Sequence, residues 1–534
     1  MARHDVIIVG AGHNGLVAAA YLARAGLDVL VCERATQVGG SLVNAEICPG
    51  FIGAGGAHDL ALLAPRIISD LNLSAFGFEL VSLPGRATLL QDGGYIGSSQ
   101  NYHQSVMDIE RYSPRDAARY RDYERDLSRQ KNLFQPWLAA PFPDLALIGD
   151  DDHDHDDGHE FPKAATNILK MMSEEELQEA LHFWFQSCKN LLDQYFETDA
   201  LKAHIAAPSF IGAARGPFSP GTAYLLLHSR LGADVHGLQG MVRGGMQNLG
   251  NCLLQAVTAF GGEVVCSAEV SEVNIVKGSV VSVTLADGTV HEGKVIVSNL
   301  DLKRTFLTLF DWKALSDTVL AQVGHYRMQG SVAKMNIALD GLPEFHGLPD
   351  GSPLLGGKLH FSASLSEMER AYDCWKDGRV PDYPLLDVII PSLSDPSLCP
   401  PGKHVLSINI QYIPNHLLVG HWDEVKKESL AARILTILAE HSPNVKDLML
   451  GWTLDVPPDL EDKYALTGGD IHHGDMSLDQ LLFNRPLPGY ANNQTPFKNF
   501  YMCGASTHPG GGVMGMPGAL AARSVLYDLE HGSL

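Results

Sequence analysis

Apolar residues near the start of the chain follow two patterns that predict two strands joined by a helix. Residues 6–9, Val-Ile-Ile-Val, form an uninterrupted apolar run, which is typical of a buried strand. Residues 16–25 are rich in Ala and Leu and predict a helix that ends at Gly26. A second apolar run follows at 29–32. We therefore expect a strand, a helix and another strand within the first 32 residues.

A glycine motif, Gly10-x-Gly12-x-x-Gly15, joins the first predicted strand to the helix. In dinucleotide-binding folds the first glycine permits the tight turn, the second lets a pyrophosphate approach the backbone, and the third lets the helix pack closely on the sheet. The helix N-terminus favours the phosphate charges. Glu33 follows the second predicted strand and is placed to accept hydrogen bonds from an adenosine ribose. The pattern therefore favours a site for FAD or NAD over a plain glycine-rich turn.

The spacing of apolar residues changes along the rest of the chain. Residues 102–238 show helical periodicity, whereas residues 264–299 contain short apolar strands. The tail, 500–530, again predicts a strand, a glycine turn and a helix. Strands are predicted at 332–339, 385–390 and 405–412, and an amphipathic helix at 422–441. We therefore predict an α/β protein with a discontinuous cofactor domain (1–75, 240–303 and 460–534), a largely helical insertion that caps the substrate (76–239) and a substrate domain with a β-sheet (304–459).

The amino-acid composition limits which partners the protein can bind and where in the cell we expect it. The 534 residues include 62 acidic and 39 basic side chains, and the net charge of −23 disfavours nucleic acid and anionic lipid. The eight cysteines include no Cys-x-x-Cys pair, and no uncharged apolar run reaches the roughly 18 residues that span a membrane. We expect a cytoplasmic protein without a leader peptide and with at most peripheral membrane contact, while its oligomeric state stays open. The acidic, histidine-containing run at 150–159 is typical of a solvated loop, and we predict no metal site.

Motifs at both ends and in the middle of the chain occur together in a known family. They are Gly10-Gly12-Gly15 with Glu33 and Gly39-Gly40, the Gly244-Gly245-Met246 block, and Gly504-Ala505 followed by His508-Pro509-Gly510-Gly511-Gly512. In these motifs the chain resembles the phytoene desaturase and carotenoid isomerase family of flavoproteins, particularly its phytoene dehydrogenase-related branch. The resemblance implies the fold of the monoamine oxidase and GDP-dissociation-inhibitor superfamily, with a Rossmann-type FAD-binding domain in three segments and an α+β substrate domain.

The resemblance also implies which residues hold FAD. Gly10, Gly12 and Gly15 are expected to hold the pyrophosphate, and Glu33 the adenosine ribose. The other implied contacts are Arg34, Gly39, Gly40 and Ser41 along the phosphate and ribityl portion, Val270 against adenine, Gly504 and Ala505 at the ribityl phosphate, and Val513, Met514 and Gly515 at the flavin ring.

A flavoprotein of this kind moves a hydride from carbon to flavin N5 and needs a group that removes the partner proton. The candidate bases are histidines in glycine-rich surroundings: His58, His473 and His508. We therefore expect an FAD-dependent dehydrogenase, desaturase or isomerase that acts on an apolar small molecule and passes electrons to oxygen or a quinone. Two alternatives stay open, a flavin amine oxidase and a non-catalytic, lipid-binding escort protein with the same fold. An amine oxidase needs an aromatic pair beside the flavin, which the sequence alone does not assign.

Overall fold

Two seven-stranded sheets form the frame of the protein. The computed structural model describes residues 3–138, 140, 172–231, 240–362 and 364–532. The strands are β1 Arg3–Val9, β2 Val29–Cys32, β3 Asn44–Cys48, β4 Phe51–Ala54, β5 Leu80–Ser82, β6 Gly85–Leu89, β7 Tyr95–Ser99, β8 Gly240–Val242, β9 Glu263–Val265, β10 Val270–Val276, β11 Ser279–Leu285, β12 Val290–Ser298, β13 Val332–Leu339, β14 Lys358–His360, β15 Leu385–Ile389, β16 His404–Gln411, β17 Met449–Asp455 and β18 Phe500–Met502.

Helices pack against both sheets. The α-helices are α1 His13–Arg24, α2 Pro65–Asp70, α3 Tyr102–Glu110, α4 Pro114–Leu138, α5 Glu174–Phe185, α6 Cys188–Asp193, α7 Asp199–Phe210, α8 Ala223–His228, α9 Gln247–Ala259, α10 Leu302–Thr308, α11 Asp317–His325, α12 Leu365–Lys376, α13 Glu424–His441, α14 Pro457–Tyr464 and α15 Met516–Glu530. No helix among the described residues is long and apolar enough to cross a bilayer.

The first sheet runs in the order β10-β11-β12-β1-β2-β9, and β18 pairs with β12. β1 lies between β12 and β2 and is parallel to both. Helices α1, α9 and α15 cover one face, while α10 and α11 cover the other. A parallel strand buried on both faces has an apolar side chain at every position, which is why residues 6–9 show no alternation. The predicted strand, helix and strand at the start of the chain are confirmed.

The second sheet runs in the order β17-β13-β16-β15-β14-β6-β7. Its neighbouring strands are antiparallel except β14 and β6, which are parallel. Helix α13 covers one face through Leu430, Ile434 and Leu438. The opposite face, called the inner face below, borders the cavity that contains the candidate site. The strands predicted at 332–339, 385–390 and 405–412 are confirmed as β13, β15 and β16, with shifts of one residue at their ends.

Two segments lie across the predicted domain boundaries, which themselves stay a prediction. Strands β6 and β7, from the segment predicted as a largely helical insertion, extend the second sheet. They are five residues long and mix glycine, serine and arginine with apolar residues, so they lack a clear strand pattern. Helices α10 and α11, from the segment predicted as the substrate domain, pack on the first sheet through Phe306 and Val323. The run at 150–159 lies outside the described residues.

Candidate functional site

A deep cavity lies between the two sheets. One end is formed by the glycine turn after β1, and the other end by the inner face of the second sheet. The predicted FAD residues that line it are Gly10, Gly12, Glu33, Arg34, Gly39, Gly40, Ser41, Val270, Ala505 and Val513. The residues that line its other end include Lys334, Lys358, Asp387 and Asn409. One cavity therefore connects the N-terminal motif with side chains that lie hundreds of residues later in the chain.

The glycine turn forms a cradle that larger residues would fill. Gly10 has a φ of +95°, which favours glycine. A Cβ atom on Gly12 would lie 2.7 Å from the Asn299 side chain, and one on Gly15 would lie 2.3 Å from the Gly10 carbonyl oxygen. Helix α1 begins without a side-chain cap and without an acidic residue in its first turn. Its first N–H groups are therefore available to an anion at the cavity.

Glu33 is held at the edge of this cradle by the backbone. Its Oε2 accepts a hydrogen bond from the Ala11 N–H at 2.7 Å, and its Oε1 accepts one from the Ala35 N–H at 2.8 Å. A carboxylate oxygen has two lone pairs, so each oxygen can accept one more hydrogen bond. Two hydroxyl groups of a ribose could donate these two remaining hydrogen bonds.

Four predicted FAD residues lie behind the cavity wall. They are Gly15, Gly504, Met514 and Gly515, and none of them is among the lining residues. A Cβ on Gly504 would lie 2.8 Å from the Asn299 carbonyl oxygen, and Met514 is buried in the core around α1. Their position indicates that they shape the backbone next to the cavity. The assignment of all fourteen residues to FAD stays a prediction.

The inner face of the second sheet carries polar side chains that cross five strands at one level. Strand register pairs Lys334 with Asn409, Asn409 with Asp387, Asp387 with His360, and His360 with Thr88. We call these five residues the polar row. All five are buried, with Asp387 and His360 fully removed from solvent. Burial of so many polar groups is unfavourable unless they bind one another.

His58 joins the polar row and connects its charged members. The Lys334 Nζ donates to His58 Nδ1 at 2.8 Å and to Asn409 Oδ1 at 3.2 Å. Since Nδ1 accepts this bond, the proton of the neutral imidazole lies on Nε2, which is 3.0 Å from Asp387 Oδ2. His360 Nε2 lies 3.1 Å from the other oxygen of the same carboxylate. Asp387 therefore anchors a hydrogen-bonded chain that ends at the Lys334 amine.

The charges in this cluster shift each other's protonation. Burial alone would raise the pKa of Asp387, but the Lys358 ammonium, 3.2 Å away, and two imidazoles hold that pKa well below its usual range. Burial, followed by the charge of Lys334, lowers the pKa of His58 to about 4. Burial also lowers the pKa of Lys334 to about 7, and Lys358 adds to that effect although Asp387 opposes it. Near neutral pH the cavity wall thus carries an amine that can gain or lose a proton.

The three predicted catalytic histidines are placed differently. His58 and His473 line the cavity, and burial lowers the pKa of His473 as well. His508 is buried but is not among the lining residues, because its ring turns toward α4, where Nε2 lies 2.9 Å from the Trp137 carbonyl oxygen. The structure brings the first two into one cavity and keeps the third outside it. Which of them acts in catalysis stays a prediction.

His58, Asp59 and Asp387 have the chemistry of a metal site, since their ligand atoms all lie within 4.8 Å of one another. However, Lys358 Nζ lies 3.0 Å from Asp59 and 3.2 Å from Asp387. The ammonium therefore supplies the positive charge that a metal ion would bring. We assign no metal to this cluster.

Sequence reasoning missed Lys334, Lys358, Asp387 and Asn409. One local signal was available, because Lys334 interrupts the apolar strand β13, whose eight residues are all buried. A lysine in such a strand is unfavourable unless it has partners or a function. Asp387 gives the same signal in β15, whose five residues are all buried, but neither signal shows that the two side chains share one row, since they come from different strands.

Comparison with known proteins shows the family to which the chain belongs. The model of the family described as flavin containing amine oxidoreductase matches residues 15–522. The chain belongs to this family. It is 33% identical to pyridine nucleotide-disulfide oxidoreductase domain-containing protein 2 of Rattus norvegicus, over 99% of this chain and 94% of that protein. The family resemblance inferred from the motifs is confirmed, and the family implies a flavin and an oxidoreductase.

More distant relatives and solved structures agree with this placement. The chain is 26% identical to one of the subunits of limonene dehydrogenase from Castellaniella defragrans, over 98% of this chain and 95% of that protein. It is 25% identical to phytoene desaturase of Fusarium fujikuroi, over 98% and 89%. The structure of putrescine oxidase bound to putrescine has a TM-score of 0.60 at 15% identity and covers 99% of both chains. This likeness confirms the predicted amine-oxidase-type fold.

Proposed function

We propose that the protein is an FAD-dependent oxidoreductase that dehydrogenates, desaturates or isomerises an apolar small molecule. One observation carries this proposal: the same cavity has a cradle for phosphate at one end and a buried amine, imidazole and carboxylate at the other. The cradle fits a dinucleotide, because its glycines leave no room for a Cβ and the start of α1 leaves N–H groups available. FAD, when bound, supplies the hydride acceptor.

The residues of this chain then bind the cofactor and accept a proton. Gly10, Gly12 and the start of α1 hold the pyrophosphate, and Glu33 holds the ribose. Lys334, in its neutral form, accepts the proton that the substrate releases when it loses a hydride. His58 keeps the amine oriented by accepting a hydrogen bond from it at 2.8 Å.

The composition of the cavity wall supports an apolar substrate. Its apolar members include Leu62, Ile211, Leu225, Leu466 and Met476. Two relatives are named for reactions of hydrocarbons, limonene and phytoene. Among the described lining residues Tyr464 is the only Phe, Tyr or Trp, so the wall lacks the aromatic pair that the amine oxidase alternative requires. These observations favour a dehydrogenase over an amine oxidase. Our proposal keeps oxygen or a quinone as the electron acceptor.

The test begins with the absorption spectrum of the purified protein, before and after incubation with FAD or, as a control, FMN. We expect bands near ~450 nm, and chromatography of the acid-released cofactor should identify FAD. Anaerobic addition of limonene and longer alkenes should then bleach the bands, whereas putrescine and benzylamine should not. Bleaching by an amine would favour the amine oxidase alternative. A protein that binds neither cofactor would overturn the proposal and support the escort alternative.

A further inference from the structure

The neutral form of Lys334 has a lone pair that no described residue uses. A neutral amine has two N–H groups and one lone pair. The Lys334 Nζ donates to His58 Nδ1 at 2.8 Å and to Asn409 Oδ1 at 3.2 Å, and these are its two hydrogen-bond partners among the described residues. Both N–H groups are therefore taken. Because Lys334 lines the cavity, a molecule inside the cavity can supply a group that reacts with the lone pair.

A large fraction of Lys334 is neutral near pH 7. Burial lowers its pKa to about 7, Asp387 and Asp59 oppose that shift, and the neighbouring Lys358 ammonium adds to it. The neutral form therefore makes up about half of Lys334 at pH 7. For a lysine with the ordinary pKa of about 10.4, the neutral fraction at that pH is below about 0.1%. A lysine that burial or a neighbouring cation has deprotonated in this way is a nucleophile.

Lys358 lines the same cavity but lacks this property. It is buried like Lys334, yet its Nζ lies 3.0 Å from Asp59 and 3.2 Å from Asp387. Burial opposes protonation, but these two carboxylates raise the pKa of Lys358 above its usual value. Lys358 therefore stays an ammonium and has no lone pair. Lys334, in contrast, has no carboxylate within ion-pair distance among the described residues, and its hydrogen-bond partners are uncharged.

We propose that Lys334 forms an imine with an apolar aldehyde that enters the cavity. The lone pair of Nζ attacks the carbonyl carbon, and a C–N double bond replaces the C–O double bond. The carbonyl oxygen leaves as water, with the two protons that the amine carried. No electrons pass to or from another molecule, so the step needs neither an oxidant nor a reductant. When the imine is protonated, its one N–H can still donate to His58 Nδ1.

The cavity wall selects the class of carbonyl compound. An aldehyde carbon carries a single carbon substituent, so it is less hindered beside a buried amine than the carbon of a ketone. A hydrocarbon chain on the aldehyde suits the apolar lining residues, which include Leu62, Ile211, Leu225 and Met476. Imine formation needs no flavin and goes beyond the proposed function. It uses the same lone pair that accepts the substrate proton there, so an apolar aldehyde should inhibit the enzyme.

Reductive trapping in the purified protein, with the flavin that it retains, tests this inference without turnover. Octanal and cyanoborohydride at pH 7 convert an imine into a stable secondary amine, which mass spectrometry of peptides assigns to a residue. We expect Lys334 to be labelled at least about tenfold faster than any other lysine, because ordinary lysines are protonated at this pH. Acetaldehyde should label Lys334 at least about tenfold more slowly, because it lacks the methylene groups that favour burial. Octanol, which has no carbonyl group, should label nothing.

A pair of variants and a pH series complete the test. Lys334→Met should lose the dominant label, whereas Lys313→Met, at an exposed position, should keep it. In the wild type, the preference for Lys334 over the exposed lysines should be largest near pH 7 and fall toward pH 10, where ordinary lysines also lose their proton.

The outcomes separate this inference from the proposed function. Labels on exposed lysines but not on Lys334 would overturn imine formation, and equally fast labelling of Lys334 by acetaldehyde would overturn the apolar class. Both readings come from the wild type, so they hold even if Lys334→Met does not fold. A protein that binds FAD but is not labelled at Lys334 contradicts this inference alone. One that is labelled at Lys334 but binds no flavin contradicts the proposed function alone.

Discussion

The two sheets border the same cavity but contribute to it in different ways. At the centre of the first sheet, residues 6–9 of β1 and 29–32 of β2 are apolar and buried, and what this part of the sheet presents to the cavity is mainly backbone: the glycine turn after β1 and the N–H groups at the start of α1. The central strands of the second sheet, β13, β15 and β16, are similarly buried, yet they present polar side chains from the middle of each strand. In the proposed function, the first sheet therefore binds the cofactor through the shape of its backbone, and the second sheet supplies the charged groups that take part in the reaction.

This difference has an energetic consequence. In the apolar strands of the first sheet, the loss of one buried methylene group costs only about 0.5–1.5 kcal/mol. The polar row depends on charge balance, because a buried ion that loses its partner stays buried and unpaired. We therefore expect the removal of one charge from the second sheet to lower the free energy of unfolding far more than the removal of one methyl group from the first sheet.

The largest effect is expected from Asp387→Asn. The change removes the carboxylate that lies 3.2 Å from the Lys358 ammonium and leaves that buried ammonium with Asp59, 3.0 Å away, as its remaining carboxylate, so it should destabilise the protein by up to about 3–5 kcal/mol in urea unfolding at pH 7. Adding Lys358→Met should recover part of that loss, since it removes the ammonium that lost one of its two carboxylate partners. Asp350→Asn, at an exposed position, is the control and should change stability by less than about 0.5 kcal/mol. Equal stability of Asp387→Asn and wild type would contradict the comparison.

Lys334→Met should change how stability depends on pH. An unfolded lysine keeps its proton up to about pH 10.4, whereas folded Lys334 loses it near a pKa of about 7. Between these values the unfolded state binds more protons, so this residue makes the wild type more stable as pH rises, by about 2–3 kcal/mol from pH 6 to 9. Lys334→Met should lack that increase, while the exposed Lys313→Met should retain it. Parallel pH profiles for wild type and Lys334→Met would show that Lys334 titrates normally.

Gly12→Val tests the backbone side of the comparison. The new side chain would extend toward Asn299 and into the cavity, so we expect flavin affinity to fall about tenfold or more, which corresponds to about 1.4 kcal/mol. Gly324→Ala is the matched control, because nothing lies within 4 Å of the added Cβ. Flavin content after gel filtration measures the effect. Full flavin content in Gly12→Val would show that the turn does not hold the cofactor.

The smallest effect is expected from Ile296→Val in the first sheet. This change removes one buried methylene group from β12 and should cost about 0.5–1.5 kcal/mol in urea unfolding. Ile408→Val on β16 should cost the same, because that side chain packs on the outer face with α13, away from the polar row. A much larger loss for Ile408→Val would show that the two sheets differ in packing as well as in charge.

The sequence predicted those parts of the protein that depend on neighbouring residues. The β1–α1–β2 unit and Glu33 lie within 33 residues, and each element has a local pattern of its own. Strand β13 was predicted for the same reason. The polar row could not be predicted, because Lys334 and Asp387 are 53 positions apart and meet only through the register of β13, β16 and β15. Glycine-rich surroundings predicted His58, His473 and His508 alike, but they do not show which way a ring turns, and the structure turns the His508 ring toward α4.

The polar row also affects how the second sheet folds. Its members come from five strands, and Lys334 is flanked by Ala333 and Met335, which face α13. A slip of one residue would turn every side chain of a strand to the opposite face. Slippage of β13 would bury the lysine among Leu430 and Ile434 and move Met335 next to Asn409. The charges proposed to serve catalysis therefore also specify the register of the strands. A sheet in the wrong register would bury a charged side chain in its apolar core.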